Sequence, residues 1–189
     1  MHHQPTSCII NGARKLPPIL LVLLMVVCGT LIGRGSELPE YDVKAAFLFN
    51  FIQFVEWPQK AFSSPNAPLV IGIYGSDPFG GSLERIIHGE VIRGHKLMLK
   101  RFRRPEEIKG CHVLFICRSE ASRIDEALAL VRGSSVLTVG DADHFVSKGG
   151  IIGFTMVDNN VRFQINPGNA QREELVISSR LLRLAIGVP

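Results

Sequence analysis

The sequence predicts an α/β fold of three layers, α/β/α, with a mostly parallel central sheet and a C-terminal antiparallel hairpin. Two patterns predict it. Four short strand-like runs alternate with stretches of helical spacing, the order expected of a layered domain with parallel strands. Two further strand-like runs near the end are joined only by Asp158-Asn159-Asn160, a tight hairpin connection. The 189 residues, 46% hydrophobic and 20% charged, make one domain's worth of chain that can bury a core without staples.

Tyr41 to Glu56 reads as a helix. At about 100° per residue, Asp42, Asn50, Gln53 and Glu56 share a polar sector, while Val43, Phe47, Leu48, Phe51, Ile52, Phe54 and Val55 fill most of the rest. That apolar arc is wider than one sheet face needs, so the helix is either buried between two layers or docks a second protein with one side. Phe49 falls in the polar sector and is expected to be exposed. Trp57-Pro58 ends the helix, because Pro cannot extend it and restricts the residue before it. Residues 63–68, SSPNAP, are a loop by composition.

LVIGIYG, from Leu69 to Gly75, is the first buried strand. Ser76 or Asp77 then caps a helix with Pro78 at its first position and Gly89 at its end. HKLMLKRF, CHVLFIC and SVLTVGD are the next three strands, with a helix opened by Ser119 and ended by Gly133 before the last of them. IIGFTMV and VRFQIN form the hairpin. Asn166 and Pro167 match an N-cap and a first-turn Pro, and the segment after them is helical with a break near Val176.

Charge narrows the function. The formal net charge is +4, but residues 1–35 hold Arg14, Lys15 and Arg34 and no acid. Removing them leaves 18 basic against 17 acidic residues. The basic character is thus mostly that of the first segment and gives no support to nucleic-acid binding. That segment reads as a signal peptide over 1–35, with a single domain over 36–189. Arg14 and Lys15 precede an apolar run from Ile19 to Cys28, and Gly33-Arg34-Gly35 offers a cleavage site before Ser36. A lipoprotein modified at Cys28 and a retained N-terminal anchor are the alternatives; each leaves the domain outside the cytoplasm. Cys111 and Cys117 remain beyond the leader. On one strand they would lie about 20 Å apart, too far to bridge within a molecule. They read as buried small hydrophobes, or as an intermolecular bridge or reactive thiol in an oxidising compartment.

No motif announces catalysis. Neither G-x-S-x-G nor H-E-x-x-H is present, and no catalytic residue, cofactor or metal is expected. VGDADHF, Val139 to Phe145, places two acids and a His after a strand, but a metal needs three or more converging ligands, and Asp141 reads as a turn or cap residue. IYGSDPFGG is the best small-molecule candidate, since a helix start after a strand offers free N–H groups to an anion. Ser76 and Asp77 would touch such a ligand. KRFRRP reads as a solvated loop or a surface for an acidic partner.

YDVKAAFLFNFIQFVEWP, IGIYGSDPFG, CHVLFI, LTVGDADHFVSKGGIIGF, VRFQIN and ISSRLLRLA, in this order, resemble the YfiR family of exported bacterial proteins. The resemblance spans nearly all of the chain after the leader. It implies an α/β/α domain that forms a homodimer in the periplasm and acts as a regulator rather than an enzyme. It further implies binding to the periplasmic sensor domain of an inner-membrane diguanylate cyclase. Holding that cyclase inactive lowers cyclic di-GMP and restrains biofilm formation. Other members are expected to serve other membrane sensors, histidine kinases among them. Family members can carry extra cysteines that form intramolecular bridges; Cys111 matches a family position but has no partner in this chain.

Two functions therefore compete. One is a periplasmic partner-binding repressor, with Phe49, Trp57, Arg162, Asn169 and Arg172 as contact residues. The last three are preferred because they flank the closing hairpin, where polar residues stand beside apolar ones, as in reversible interfaces. The other is a periplasmic small-molecule module for an anion or nucleotide, built on Ser76 and Asp77, that feeds a membrane sensor.

Overall fold

The computed structural model describes residues 39–187. The expected leader, its cleavage site and Cys8 and Cys28 lie outside the described residues. Helix α1, Glu40–Phe54, comes first and stops two residues earlier than its periodicity suggests, because Val55–Glu56 is a short strand, β1. The chain continues through β2 (Leu69–Tyr74), α2 (Ser82–Ile87), β3 (Val91–Ile92) and β4 (His95–Phe102). Then come β5 (Val113–Ile116), a 3-10 segment at Arg118–Arg123 running into α3 (Ile124–Val131), and β6 (Leu137–Gly140). The hairpin is β7 (Ile152–Val157) and β8 (Asn160–Ile165), followed by α4 (Pro167–Arg172), β9 (Val176–Ile177) and α5 (Ser179–Leu182).

Seven strands form one sheet in the order β3-β4-β2-β5-β6-β7-β8. The pairs from β4 to β7 are parallel, and β3 and β8 run antiparallel at the two edges. β1 and β9 pair separately, Val55 against Ile177, which explains why the first helix gives way to extended chain at Val55. Asp158 and Asn159 both take positive φ, 49° and 59°, and Val157 pairs with Asn160. The hairpin loop thus has two residues in the primed geometry that matches strand twist.

Two helix starts differ from the sequence expectation, one for a local and one for a tertiary reason. Asp77 does not cap α2: its Oδ1 accepts the Phe79 N–H at 2.8 Å, and Gly80 and Gly81 follow in left-handed conformation before the helix begins at Ser82. Ser119 does not cap α3, because its Oγ already accepts the Ser76 N–H at 3.0 Å. By contrast, Asn166 caps α4 through Asn169 N–H with Pro167 in the first turn, and the C-terminal segment breaks at β9 as its pattern suggests.

The core lies on both sheet faces. On one face Ile71, Phe115 and Ile152 meet Leu48, Phe51 and Ile52 of α1; on the other Val70, Leu114 and Ile116 meet Ile124 and Ala127 of α3. The aromatic surface of α1 is therefore mostly core. Phe51 stacks on Phe154 at 5.6 Å and meets Phe163 edge-on at 4.9 Å. Such pairs add about 0.5–1.5 kcal/mol each beyond burial. Phe49 is half-buried and packs against the same core rather than standing free.

The loop between β6 and β7 is fastened by Phe145, whose ring lies against backbone. A Cβ on Gly140 would fall 2.5 Å from that ring, and one on Gly150 2.1 Å from it. Only glycine leaves room there. Cys111 and Cys117 are both free and buried, and burial pushes each thiol up to about 12. Neither is poised as a thiolate, and neither presents a sulfur at the surface for an intermolecular bridge.

Ahead of β5, Phe62 is sandwiched between His95, 3.8 Å between ring centroids, and His112, 4.5 Å. His112 Nδ1 accepts the Val70 N–H at 3.0 Å, so its proton must sit on Nε2, which donates to the Ala61 carbonyl at 3.1 Å. A second proton would set Nδ1 against a backbone donor.

Two outcomes follow from this packing. Gly150→Ala forces the Phe145 ring to move and is expected to lower stability by about 1–3 kcal/mol in urea unfolding, the usual overpacking cost; an unchanged midpoint contradicts the close approach. Burial, the largest cause, holds the His112 pKa below its ordinary 6.5. As pH falls below 6.5 the unfolded chain takes up a proton that the folded one refuses, so stability drops until the folded pKa is reached and levels beneath it. The His112 ring signal in an NMR titration is expected to move at a pH below 6.5; titration above that value contradicts the burial argument.

Candidate functional site

An open α/β sheet reverses its winding where successive connections leave in opposite directions, and ligands of such folds favour the crevice at that point. Here β2 leads to β4 on one side, while β5 leads to β6 and β7 on the other. The crevice lies past Tyr74 and Ile116, and Ser76 and Asp77 stand at its rim. Its groups are already engaged with one another. Ser76 donates its N–H to Ser119, and Asp77 Oδ2 pairs with Arg101 Nε at 2.7 Å. Arg101 reaches on to Glu84 Oε1 at 2.8 Å, and these two carboxylates hold its guanidinium pKa above the ordinary value. An anion here would have to displace the protein's own carboxylate from Arg101.

Beside the crevice, at the end of β6, lies a buried charged cluster that the sequence reading did not assemble. Asp141 is 1% exposed and Lys44, from the inner face of α1, is 3% exposed. Lys44 Nζ donates to Asp141 Oδ2 at 3.0 Å, and the Tyr41 hydroxyl donates to the same oxygen at 2.7 Å. Lys44 also pairs with Glu40 one turn back and lies 4.3 Å from the centre of the Tyr41 ring. Arg118 closes the group from the end of β5, donating to the Asp141 carbonyl from Nε and Nη2 at 3.2 and 3.0 Å. Among the described residues Asp141 Oδ1 has no hydrogen-bond partner. Burial first, and Asp141 second, push the Tyr41 hydroxyl well above its ordinary pKa, so it stays a neutral donor. This arrangement supplies no activated nucleophile; it ties α1 to the ends of β5 and β6. Asp141 is thus an ion-pair partner rather than a cap, and His95 and His112 stand at the Phe62 stack instead of joining it.

The five expected contact residues stand on several elements. Arg162 is exposed on the edge strand β8, opposite Thr155. Phe49 is on α1. Trp57 is half-buried, donates Nε1–H to the His112 carbonyl at 3.1 Å and lines a cavity of about 120 Å³ with Phe62, Ile92 and His95. Asn169 and Arg172 are brought together. Asn169 is 9% exposed, and its Oδ1 accepts from Arg172 Nη1 at 2.6 Å while its Nδ2 donates to the Gly150 carbonyl at 3.1 Å. Both line a cavity of about 460 Å³ that also takes in Arg132 and Lys148. Sequence reasoning missed Lys44, Arg132 and Lys148. Lys44 left a signal: it stands four residues before Leu48 and seven before Phe51, a charge on a core stripe.

The described residues define an α/β domain with a mostly parallel sheet, and sequence comparison places it in a family. Residues 41–186 match the YfiR/HmsC-like family, and the chain belongs to it. Proteins of this family act in general as periplasmic regulators, bind membrane-associated partners and are generally not enzymes. No curated protein matches the sequence. Solved structures that resemble the fold include the following two. One is a conserved domain protein from Vibrio cholerae, 13% identical with a TM-score of 0.52, covering 82% of this chain and 62% of that one. The other is the ABC domain in complex with L-Trp from Streptococcus pneumonia, 12% identical with a TM-score of 0.52, covering 79% and 62%. At these identities the likeness concerns the fold alone. This chain spans about three-fifths of either relative.

The buried cluster makes a sharp energetic prediction. Lys44→Met leaves Asp141 charged and unpaired and is expected to cost about 3–5 kcal/mol in urea unfolding. Combining it with Asp141→Leu is expected to restore much of that loss, because neither charge is then buried alone. A double variant as unstable as the sum of its singles contradicts the pairing.

Proposed function

We propose that this protein is a periplasmic regulator that binds the sensor domain of an inner-membrane diguanylate cyclase and represses it, lowering cyclic di-GMP and restraining biofilm formation. The family match over residues 41–186 carries this reading. The surface supports it in two ways. The crevice where an α/β sheet usually takes its ligand is filled by the chain's own ion pairs. The β7–β8 hairpin, meanwhile, offers a mixed surface: Asn160, Arg162 and Gln164 are exposed in alternation along the edge strand, and Met156 and Val157 are exposed at the tip. Such a mixture of polar and apolar groups suits reversible docking.

Arg162 is the contact residue on which the reading leans most. Phe49 and Trp57 offer half-exposed rings, and Asn169 acts by holding Arg172. The protein works as a homodimer. Its mechanism is population shift: tighter binding to the inactive sensor conformation draws the membrane protein into that state. Moving such an equilibrium from 1:99 to 99:1 takes about 10⁴-fold differential affinity. A small-molecule module feeding a membrane sensor such as a histidine kinase is the second reading, favoured by the cation-lined cavity.

Capture from membranes tests the first reading, using the tagged chain expressed with its own leader. One inner-membrane protein with a periplasmic sensor domain and a cyclase output is expected to be enriched. Arg162→Glu is expected to reduce its recovery about tenfold without changing thermal stability, the loss typical of a central interface residue. A folded, dimeric protein that captures nothing from membranes contradicts the reading.

A further inference from the structure

We infer that the cavity between the C-terminal ends of α3 and α4 is a binding site for a small molecule bearing an oxyanion, a phosphate or carboxylate group. It opens at the end of β6 opposite Asp141, bounded by Arg132 and Gly133 after α3, by Lys148 and Gly149 before β7, and by Arg172 closing α4. Its volume, about 460 Å³, is that of a small-ligand pocket and exceeds what a lone inorganic ion would fill.

The charge in this cavity is net positive, three cations against one carboxylate. Arg132, Lys148 and Arg172 all line it, and among the described residues none of the three makes a salt bridge. The single acid in the lining, Glu173, is turned to other work. Its Oε1 accepts the Gly133 N–H at 2.9 Å and its Oε2 the Ser135 N–H at 3.1 Å, so it closes the end of α3 and leaves the lining with a net positive charge.

The cavity is also built rather than incidental. Arg172 is held by Asn169, which is itself buried and anchored to the Gly150 carbonyl. A guanidinium fixed through one Nη keeps its other donors for a ligand, in the planar arrangement that fits phosphate and carboxylate. Thr138, 4% exposed, contributes a hydroxyl that accepts the Ile151 N–H at 3.0 Å and has no acceptor for its own proton among the described residues. That donor lies in the same lining.

A purely structural account covers part of this. Arg132 and Arg172 stand at helix C-termini, where cations offset the negative end of the helix dipole. It does not cover Lys148, which belongs to no helix, or the Thr138 hydroxyl proton, which has no acceptor among the described residues.

Titration calorimetry on the purified protein in a Tris–chloride buffer separates the two accounts, with inorganic pyrophosphate and citrate as probes for the phosphate and carboxylate forms. Saturable binding of at least one probe is expected, weakening as salt rises. Lys148 is exposed, and among the described residues its side chain makes no hydrogen bond or salt bridge, so Lys148→Gln is expected to fold as the parent does and to weaken binding about tenfold, the worth of one charged hydrogen bond. Arg172→Gln is expected to do the same, while Lys96→Gln on the exposed side of β4 leaves affinity unchanged. Binding of pyrophosphate alone assigns a phosphate ligand, and binding of citrate alone a carboxylate. The proposal is overturned if neither probe binds at millimolar concentration, or if Lys148→Gln and Arg172→Gln bind as tightly as the parent. The measurement needs no membrane partner, so its failure leaves the docking reading standing, and failed membrane capture leaves this site standing.

Discussion

Lys44 and Asp141 lie 97 residues apart in the chain and meet 3.0 Å apart in the interior. That contact decides how the first helix sits. With Lys44 directed to the end of β6, Leu48, Phe51 and Ile52 face the sheet and complete one side of the core. Arg118 adds the end of β5 to the same knot through the Asp141 carbonyl. Two charges out of water are worth little as a net gain in stability, since desolvation nearly cancels their attraction. Their value here is in choosing one placement: a small rotation of α1 would part the ammonium from its carboxylate while both stay buried.

The consequences run to both ends of β6. At its C-terminal end the polar groups satisfy one another, through Lys44 with Asp141 and Arg101 with Asp77 and Glu84, and the usual ligand crevice is closed by the chain itself. At the opposite end, three cations line an open cavity and, among the described residues, make no salt bridge. The loop between β6 and β7 links the two. It leaves Asp141, turns under Phe145 where glycines admit the ring, and returns with Lys148 on the cavity wall.

Much of the architecture was legible because it is local. The apolar run at Leu69–Tyr74, the alternation at His95–Phe102 and the two-residue turn at Asp158-Asn159 depend on residues within a few positions of each other. The Asn166-Pro167 helix start is local too, and it holds. The helix starts at Asp77 and Ser119 failed for the converse reason: each polar side chain has a distant or competing partner, Arg101 for Asp77 and the Ser76 N–H for Ser119. The same is true of the candidate sites. Asn169 and Arg172 could be singled out from their place after the hairpin. Arg132 and Lys148 could not be joined to them, since they reach the cavity from other elements.

The sequence by itself determined the layered class, the six longer strands, the hairpin and the family, because hydrophobic period and turn chemistry act over a few residues, whereas the short strands β1, β3 and β9 carry too little pattern to be read. Only the tertiary structure decided which charges are paired and which stand open. Charge pairing depends on which side chains share a low-dielectric interior, and that is set by how helices lie across the sheet. The sequence could show a lysine on a core stripe and an acid after a strand; the fold alone brought the two together and, among the described residues, left the cations at the other end of β6 without a salt bridge.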